Sequence, residues 1–161
     1  MTEAGHPFSI SSRREFLVGT AVISLAACTS QQPDLELGEQ GTIARISDGD
    51  LIALDTGLRV RLSEIEAPSP YADDGAPFGD EATQMLEREA LGRPAQLYYG
   101  GLSRDRYDRA LAHVFVTDET GRSTWLNGLM IRQGGAWVRT YPANAAKVRH
   151  LSKLEDQPPT K

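Results

Sequence analysis

Short runs of alternating hydrophobic and polar residues predict β-strands from about residue 41 onward. Ile43 and Ile46 belong to a first predicted strand, and the turn residues Asp48-Gly49-Asp50 separate it from a second strand over 51–54. In the stretch 58–62, apolar residues alternate with arginines, and this period of two predicts a third strand with one buried face. Two further strands are predicted over 95–99 and 111–116.

Three stretches have hydrophobic residues at helical spacing. They cover 79–91, 125–133 and a last stretch near 143–154. Gly92-Arg93-Pro94 and Gly134-Gly135 mark the ends of the first two helices. Five strands with a helix after the third predict an α+β fold, in which about three helices surround a five-stranded, partly open β-barrel of OB type.

The first 27 residues have the pattern of an export signal. The sequence Ser12-Arg13-Arg14-Glu15-Phe16-Leu17 opens an apolar run that is too short for a membrane-spanning helix. The paired arginines resemble a twin-arginine signal, and Leu25-Ala26-Ala27-Cys28 resembles the lipobox of bacterial lipoproteins, in which the cysteine is acylated. The residues alone leave one alternative open, an amphipathic first helix with a buried cysteine.

This signal divides the chain into four expected parts. Residues 1–27 form the signal, 28–39 a flexible tether lipidated at Cys28, 40–155 the folded domain, and 156–161 a polar tail. The protein is therefore expected at the bacterial cell envelope. There the lipid on Cys28 would anchor it to a membrane, facing the periplasm or the exterior after twin-arginine export.

Length and charge narrow the classes of function. The chain has 161 residues and a formal net charge of -5, which argues against a protein that coats nucleic acid through a broad basic face. An enzyme that grips one phosphate with a few arginines stays possible. Cys28 is the only cysteine, so an intramolecular disulfide is excluded. One small domain is expected to act as a monomer.

Four motifs follow one another along the folded region. They are Asp48-Gly49-Asp50, Arg61-Leu62, Ile65-Glu66-Ala67-Pro68 and Arg104-Asp105-Arg106-Tyr107-Asp108-Arg109-Ala110-Leu111-Ala112. Each motif alone is weak, but their order and spacing resemble those of staphylococcal-nuclease-like (thermonuclease) domains from Gly41 to about Tyr141. The resemblance implies an OB-type barrel that hydrolyses the phosphodiesters of DNA, RNA or both with Ca²⁺.

The resemblance also implies a metal site. Asp50 and Glu66 would hold Ca²⁺ through their carboxylates and Ala67 through its carbonyl, with Asp48 supporting them. Oxygen ligands of this kind suit a hard cation, which can orient a water for attack on phosphorus. The family usually has aspartate where Glu66 stands. Without the resemblance, Asp48 and Asp50 would be read as a hairpin turn and Glu66 as a solvated strand end.

Arg61 and Arg109 match the family's phosphate clamps. Together with Glu66 they form the catalytic set that the resemblance implies. A guanidinium fork can hold two phosphoryl oxygens and stabilises the negative charge that develops during the reaction. Tyr107 would contact the substrate by stacking on a base or by binding a phosphate, or it would only close its loop. Read alone, Arg61 is an exposed strand residue and Arg109 part of a mixed-charge loop.

Three features depart from the family's pattern. Ser69 follows Pro68 where the family has a glutamate that handles the attacking water, and a neutral hydroxyl is a poor base. Asp108 replaces a glycine, and the last helix is short. Carboxylates that would substitute for the missing base are Glu64, Asp73, Asp74 and Glu81. The alternative function is therefore a catalytically weak or inactive nuclease-like binding module at the cell envelope.

Overall fold

The structure, a computed structural model, describes residues 35–71 and 77–158. Over these residues the chain forms eight strands and three helices. The strands are β1 (Glu36–Asp48), β2 (Leu51–Leu54), β3 (Arg59–Leu62), β4 (Ile65–Glu66), β5 (Pro94–Tyr99), β6 (Ala110–Thr117), β7 (Ser123–Trp125) and β8 (Trp137–Val138). The helices are α1 (Gly79–Ala90), α2 (Leu126–Arg132) and α3 (Val148–Glu155). The predicted signal and Cys28 lie outside the described residues.

The main sheet closes into a barrel of five strands. Its strand order is β3-β2-β1-β5-β6-β7, and β3 also pairs in parallel with β6, which joins the two ends of the ring. β7 continues the sheet outside the ring by pairing with β6, while β4 and β8 form a separate two-stranded sheet. The predicted α+β fold with a five-stranded OB-type barrel and three helices is therefore confirmed.

The barrel interior is filled by the apolar face of each strand. In β3, Val60 and Leu62 are buried while Arg59 is exposed, as the alternation predicts. The helices cover the barrel with buried residues of their own, such as Leu86 of α1, Met130 of α2 and Leu151 of α3. The polar face of β3 is thereby left facing outward, where Arg61 can take part in a surface site.

Several boundaries differ from the sequence-based prediction. β1 begins at Glu36, within the stretch predicted as a tether, because its polar residues pair through the backbone with β5, beginning with Glu36 opposite Tyr99. Trp125 ends β7, where it pairs with Phe115, and α2 begins one residue later. α3 begins at Val148, later than predicted, after a turn in which Asn144 N–H donates to the Tyr141 carbonyl.

In the described part of the chain, no helix combines the length and hydropathy needed to span a membrane. The longest of the three, α1, has 12 residues.

Candidate active site

The turn between β1 and β2 carries Asp50 into close contact with the segment that follows β4. A Cβ atom at Gly49 would stand 2.7 Å from the Ala67 Cβ and 2.8 Å from the Ala82 Cβ of α1, so this approach requires glycine. Asp50 is buried there, and its Oδ2 accepts hydrogen bonds from Arg61 Nη2 at 2.9 Å and from the Ala67 N–H at 3.3 Å. Three residues of the predicted site therefore meet at one carboxylate.

Asp50 stands in a concentration of negative charge. Burial raises its pKa from 3.8 to about 6, although the guanidinium of Arg61 and the Ala67 N–H favour the ionised form. The nearby charges of Asp48 and Glu66 raise this pKa further. Asp48 itself accepts a hydrogen bond from the Gly49 N–H at 2.7 Å, which fixes the turn. The ionised Asp50 is thus incompletely stabilised by the protein alone.

Glu66 ends β4 opposite Trp137 of β8. Its Oε2 is buried and accepts no hydrogen bond from the described residues, although Arg139 Nη1 lies 3.1 Å away as an ion-pair partner. The contact is thus one of charge without hydrogen-bond geometry. A carboxylate oxygen that lacks donors, beside an Asp50 that is costly to ionise, suits a hard cation with oxygen ligands.

The side chains alone supply few ligands. Among residues 35–71 and 77–158, no group of three or more His, Cys, Asp and Glu side chains is arranged to hold a metal ion. A cation at Asp50 and Glu66 would need further oxygens from backbone carbonyls, water or substrate, as Mg²⁺ and Ca²⁺ commonly take. The Ala67 carbonyl stays a predicted ligand, while the Ala67 N–H already serves Asp50.

Arg109 lies in the loop between β5 and β6, and Asp105 organises this loop. Asp105 Oδ1 accepts the N–H groups of Tyr107 at 2.9 Å and Arg109 at 3.0 Å, and Oδ2 accepts Arg109 Nε at 2.7 Å. Burial opposes ionisation of Asp105, but these hydrogen bonds outweigh it and lower the pKa. The Arg109 guanidinium is therefore held by one carboxylate, as Arg61 is held by Asp50.

Asp108 has a backbone φ of 59°, in the left-handed region. Glycine adopts this conformation without cost, and aspartate is among the few other residues that tolerate it. The departure from the family's glycine therefore preserves the turn. On either side of it, Tyr107 is exposed, with the guanidinium carbons of Arg106 and Arg109 at 4.8 Å and 5.2 Å from its ring centre. Arg59 Nη2 also donates to the Tyr107 carbonyl at 2.9 Å.

One groove of about 790 Å³ brings the predicted substrate residues together. Its lining includes Arg61 from β3, Glu66 from β4, and Tyr107 and Arg109 from the β5–β6 loop. Arg104 and Arg106 also line it, so arginines are concentrated here in a chain whose net charge is negative. An anionic ligand with a flat ring would find charge and a stacking surface in the same groove.

The residue that replaces the family's glutamate has a local role. Ser69 Oγ accepts a hydrogen bond from the Tyr71 N–H at 3.3 Å. Of the four suggested substitutes, Glu64 is buried and its carboxylate accepts the Lys147 N–H at 2.9 and 3.1 Å, while Glu81 is exposed on α1. Asp73 and Asp74 lie outside the described residues.

Sequence reasoning missed several residues around the site. Asp105 stands in the fourth motif, which predicts no role for it, and its spacing of four residues from Arg109 is the signal that could have identified the ion pair. Arg139 and the buried pair of Glu64 with His113, whose Oε1 and Nε2 are 3.4 Å apart, gave no such signal. These contacts join segments that are far apart in sequence, so no local spacing predicts them.

One protein-family model matches a large part of this chain. Residues 59–159, more than half of the chain, match the family model described as "Staphylococcal nuclease homologue". The matched range includes Arg61, Glu66 and Arg109 but begins after Asp50.

Two relatives carry the same name. A thermonuclease of Staphylococcus intermedius is 29% identical over 112 residues, which cover 66% of this chain and 64% of the relative. A thermonuclease of Staphylococcus hyicus is 24% identical over 120 residues, which cover 71% of this chain and 68% of the relative. The chain thus spans slightly less than two thirds of the length of the first relative.

Proposed function

The chain belongs to the staphylococcal nuclease homologue family, and we propose from this premise that it hydrolyses phosphodiester bonds of nucleic acid with Ca²⁺. The observation that carries the proposal is the shared groove of Arg61, Glu66, Tyr107 and Arg109, which come from three separate parts of the chain. The name thermonuclease, borne by two relatives, supports the same activity. DNA and RNA are both candidate substrates.

The two arginines would bind the scissile phosphate. Arg61 and Arg109 both line the groove, and each is oriented by a carboxylate, Asp50 or Asp105. A positioned guanidinium costs little reorganisation when negative charge develops on the phosphoryl oxygens. Tyr107, exposed between Arg106 and Arg109, offers its ring to a neighbouring base.

Asp50 and Glu66 would hold the metal ion beside this phosphate. When bound, Ca²⁺ would supply positive charge to a phosphoryl oxygen and orient a water molecule. The ion would also offset the mutual repulsion that contributes to the high pKa of Asp50. Arg61 belongs to both the metal site and the phosphate site, because it contacts Asp50 and also lines the groove.

The residue at the position expected to activate the attacking water is a poor base. Ser69 is neutral and bonded to the Tyr71 N–H, so it can orient a water but cannot accept its proton efficiently. General-base help is typically worth about 10² to 10⁴ in rate, and slow turnover is therefore part of the proposal.

The neutral Ser69 also favours a second candidate function, a binding module that retains the groove without useful turnover. One experiment separates the two. The purified protein is incubated with single-stranded DNA, duplex DNA and RNA, either with Ca²⁺ or with a chelator, and both cleavage and binding are measured. Ca²⁺-dependent cleavage supports the nuclease. Binding without cleavage supports the binding module. If the protein neither cleaves nor binds nucleic acid, both candidate functions are contradicted.

We further propose that the domain is held at a bacterial membrane by a lipid on Cys28. The support is the sequence pattern before Cys28, together with β1 beginning at Glu36, which leaves only a short segment between the lipid and the barrel. A nuclease held in this way would act on nucleic acid outside the cytoplasm.

A further inference from the structure

Arg139 is an arginine of the site that the proposed mechanism does not use. It follows β8, and its N–H donates to the Glu64 carbonyl at 2.9 Å, which extends the pairing of β4 with β8. This pairing brings the Arg139 guanidinium to Glu66, with Nη1 3.1 Å from Oε2. The Arg139 side chain is 53% exposed and that of Glu66 is 29% exposed, so the pair lies at the surface.

Each predicted metal carboxylate therefore has its own arginine. Arg61 contacts Asp50 and Arg139 contacts Glu66. Arg61 also lines the groove and can turn its charge to a phosphate, whereas the described lining of the groove does not include Arg139. Within the described residues, the side chain of Arg139 contacts Glu66 and the ring of Tyr141.

A guanidinium and a cation cannot use the same carboxylate oxygen without repelling each other. The contacted atom, Glu66 Oε2, is buried and accepts no hydrogen bond from the described residues, so a cation bound through this oxygen would have to take the place of the guanidinium. The Arg139 guanidinium has a second contact close by, since its central carbon lies 5.7 Å from the centre of the Tyr141 ring. This ring can retain the arginine after it leaves Glu66.

We propose that Arg139 competes with Ca²⁺ for Glu66 and so sets the calcium concentration at which the site fills. This inference rests on the proposed Ca²⁺ site. Arg139 is a positioning residue in this scheme, because it acts on the metal only through Glu66. At low calcium it neutralises Glu66, and at high calcium it is displaced toward Tyr141.

The test is calorimetric titration of the purified protein with CaCl₂, together with Arg139→Ala, Arg139→Lys and Arg122→Ala variants. Arg139→Ala should bind Ca²⁺ about two- to fivefold more tightly, as expected for loss of one exposed ion pair. Arg139→Lys keeps the charge and should stay closer to the wild type. Arg122→Ala is the matched control, since Arg122 forms an exposed ion pair with Asp118 outside the site and carries the same charge.

The direction in which Arg139→Ala changes the Ca²⁺ affinity distinguishes competition from a merely structural role. If Arg139 only holds Glu66 in place, Arg139→Ala should weaken Ca²⁺ binding, and an unchanged or weaker affinity overturns the inference. Equal tightening in Arg122→Ala also overturns it, because the effect would then be one of net charge. If neither the wild type nor Arg139→Ala gives binding heat or a Ca²⁺-dependent rise in Tm, the proposed Ca²⁺ site fails and the inference fails with it.

Discussion

Replacing Asp50 with asparagine should stabilise the metal-free protein near neutral pH. Asp50 is 3% exposed, and burial raises its pKa from 3.8 to about 6 in the folded protein. Between these pH values the folded state retains a proton that the unfolded state has released, so the free energy of unfolding falls as pH rises. The loss is complete above pH 6 and absent below 3.8.

The size of the effect follows from the shift. A rise in the pKa from 3.8 to about 6 corresponds to roughly 3 kcal/mol of unfolding free energy between the two ends of this window. Asparagine keeps the shape of the side chain but does not titrate. The Arg61 side chain left without its charged partner is 24% exposed and can be solvated, so losing the ion pair should offset little of the gain.

The assay is urea unfolding of the wild type and Asp50→Asn in the presence of a chelator, at about pH 4 and about pH 7.5. Asp50→Asn should gain stability relative to the wild type by about 2 to 3 kcal/mol more at the higher pH. Asp156→Asn, an exposed carboxylate after α3, should show no such dependence. If the free energies of unfolding of the wild type and Asp50→Asn differ by the same amount at both pH values, the reasoning is refuted.

Three other predictions concern the phosphate clamp, the missing base and the anchor. Arg109→Ala should lower kcat/KM for nucleic acid cleavage by about 10² to 10³, while the exposed Arg132→Ala should not; equal rates for both would put the clamp elsewhere. Ser69→Glu should raise the turnover at saturating Ca²⁺ by up to about 10² or more, and a slower variant in a pH series would mean that another residue handles the water. Cys28→Ser should leave the membrane fraction or accumulate as uncleaved precursor, and a fully processed variant that stays with the membrane would contradict lipidation.

The strands of the barrel were largely predictable because apolar and polar residues alternate along them. The strand over 51–54 was predicted with the bounds it has, and the alternation around Val60 and Leu62 identified the buried face of β3. Local patterns failed where pairing decides the conformation. Trp125 has helical neighbours on one side, yet its backbone pairs with Phe115 of β6. The polar residues at the start of β1 likewise lack an apolar pattern and are ordered by β5.

The candidate site was predictable only as far as its motifs reach. The chain motifs named Asp50, Glu66, Arg61 and Arg109, and the last three line one groove, with Asp50 bonded to Arg61. Their roles stay predictions. The contact between Glu66 and Arg139 depends on the pairing of β4 with β8, which are short strands about seventy residues apart. Such a contact follows from the topology and not from any local spacing.

The central claim is that Glu66 and Asp50 hold a Ca²⁺ ion that the cleavage of nucleic acid requires. The most direct test measures the initial rate of oligonucleotide cleavage over a series of Ca²⁺ concentrations, for the wild type and Glu66→Gln. Glu87→Gln, which removes an exposed carboxylate of α1, is the control. The account predicts that Glu66→Gln lowers the rate and requires more Ca²⁺ for half-maximal activity, while Glu87→Gln matches the wild type. Cleavage that persists in chelator, or one Ca²⁺ curve shared by all three proteins, would contradict it.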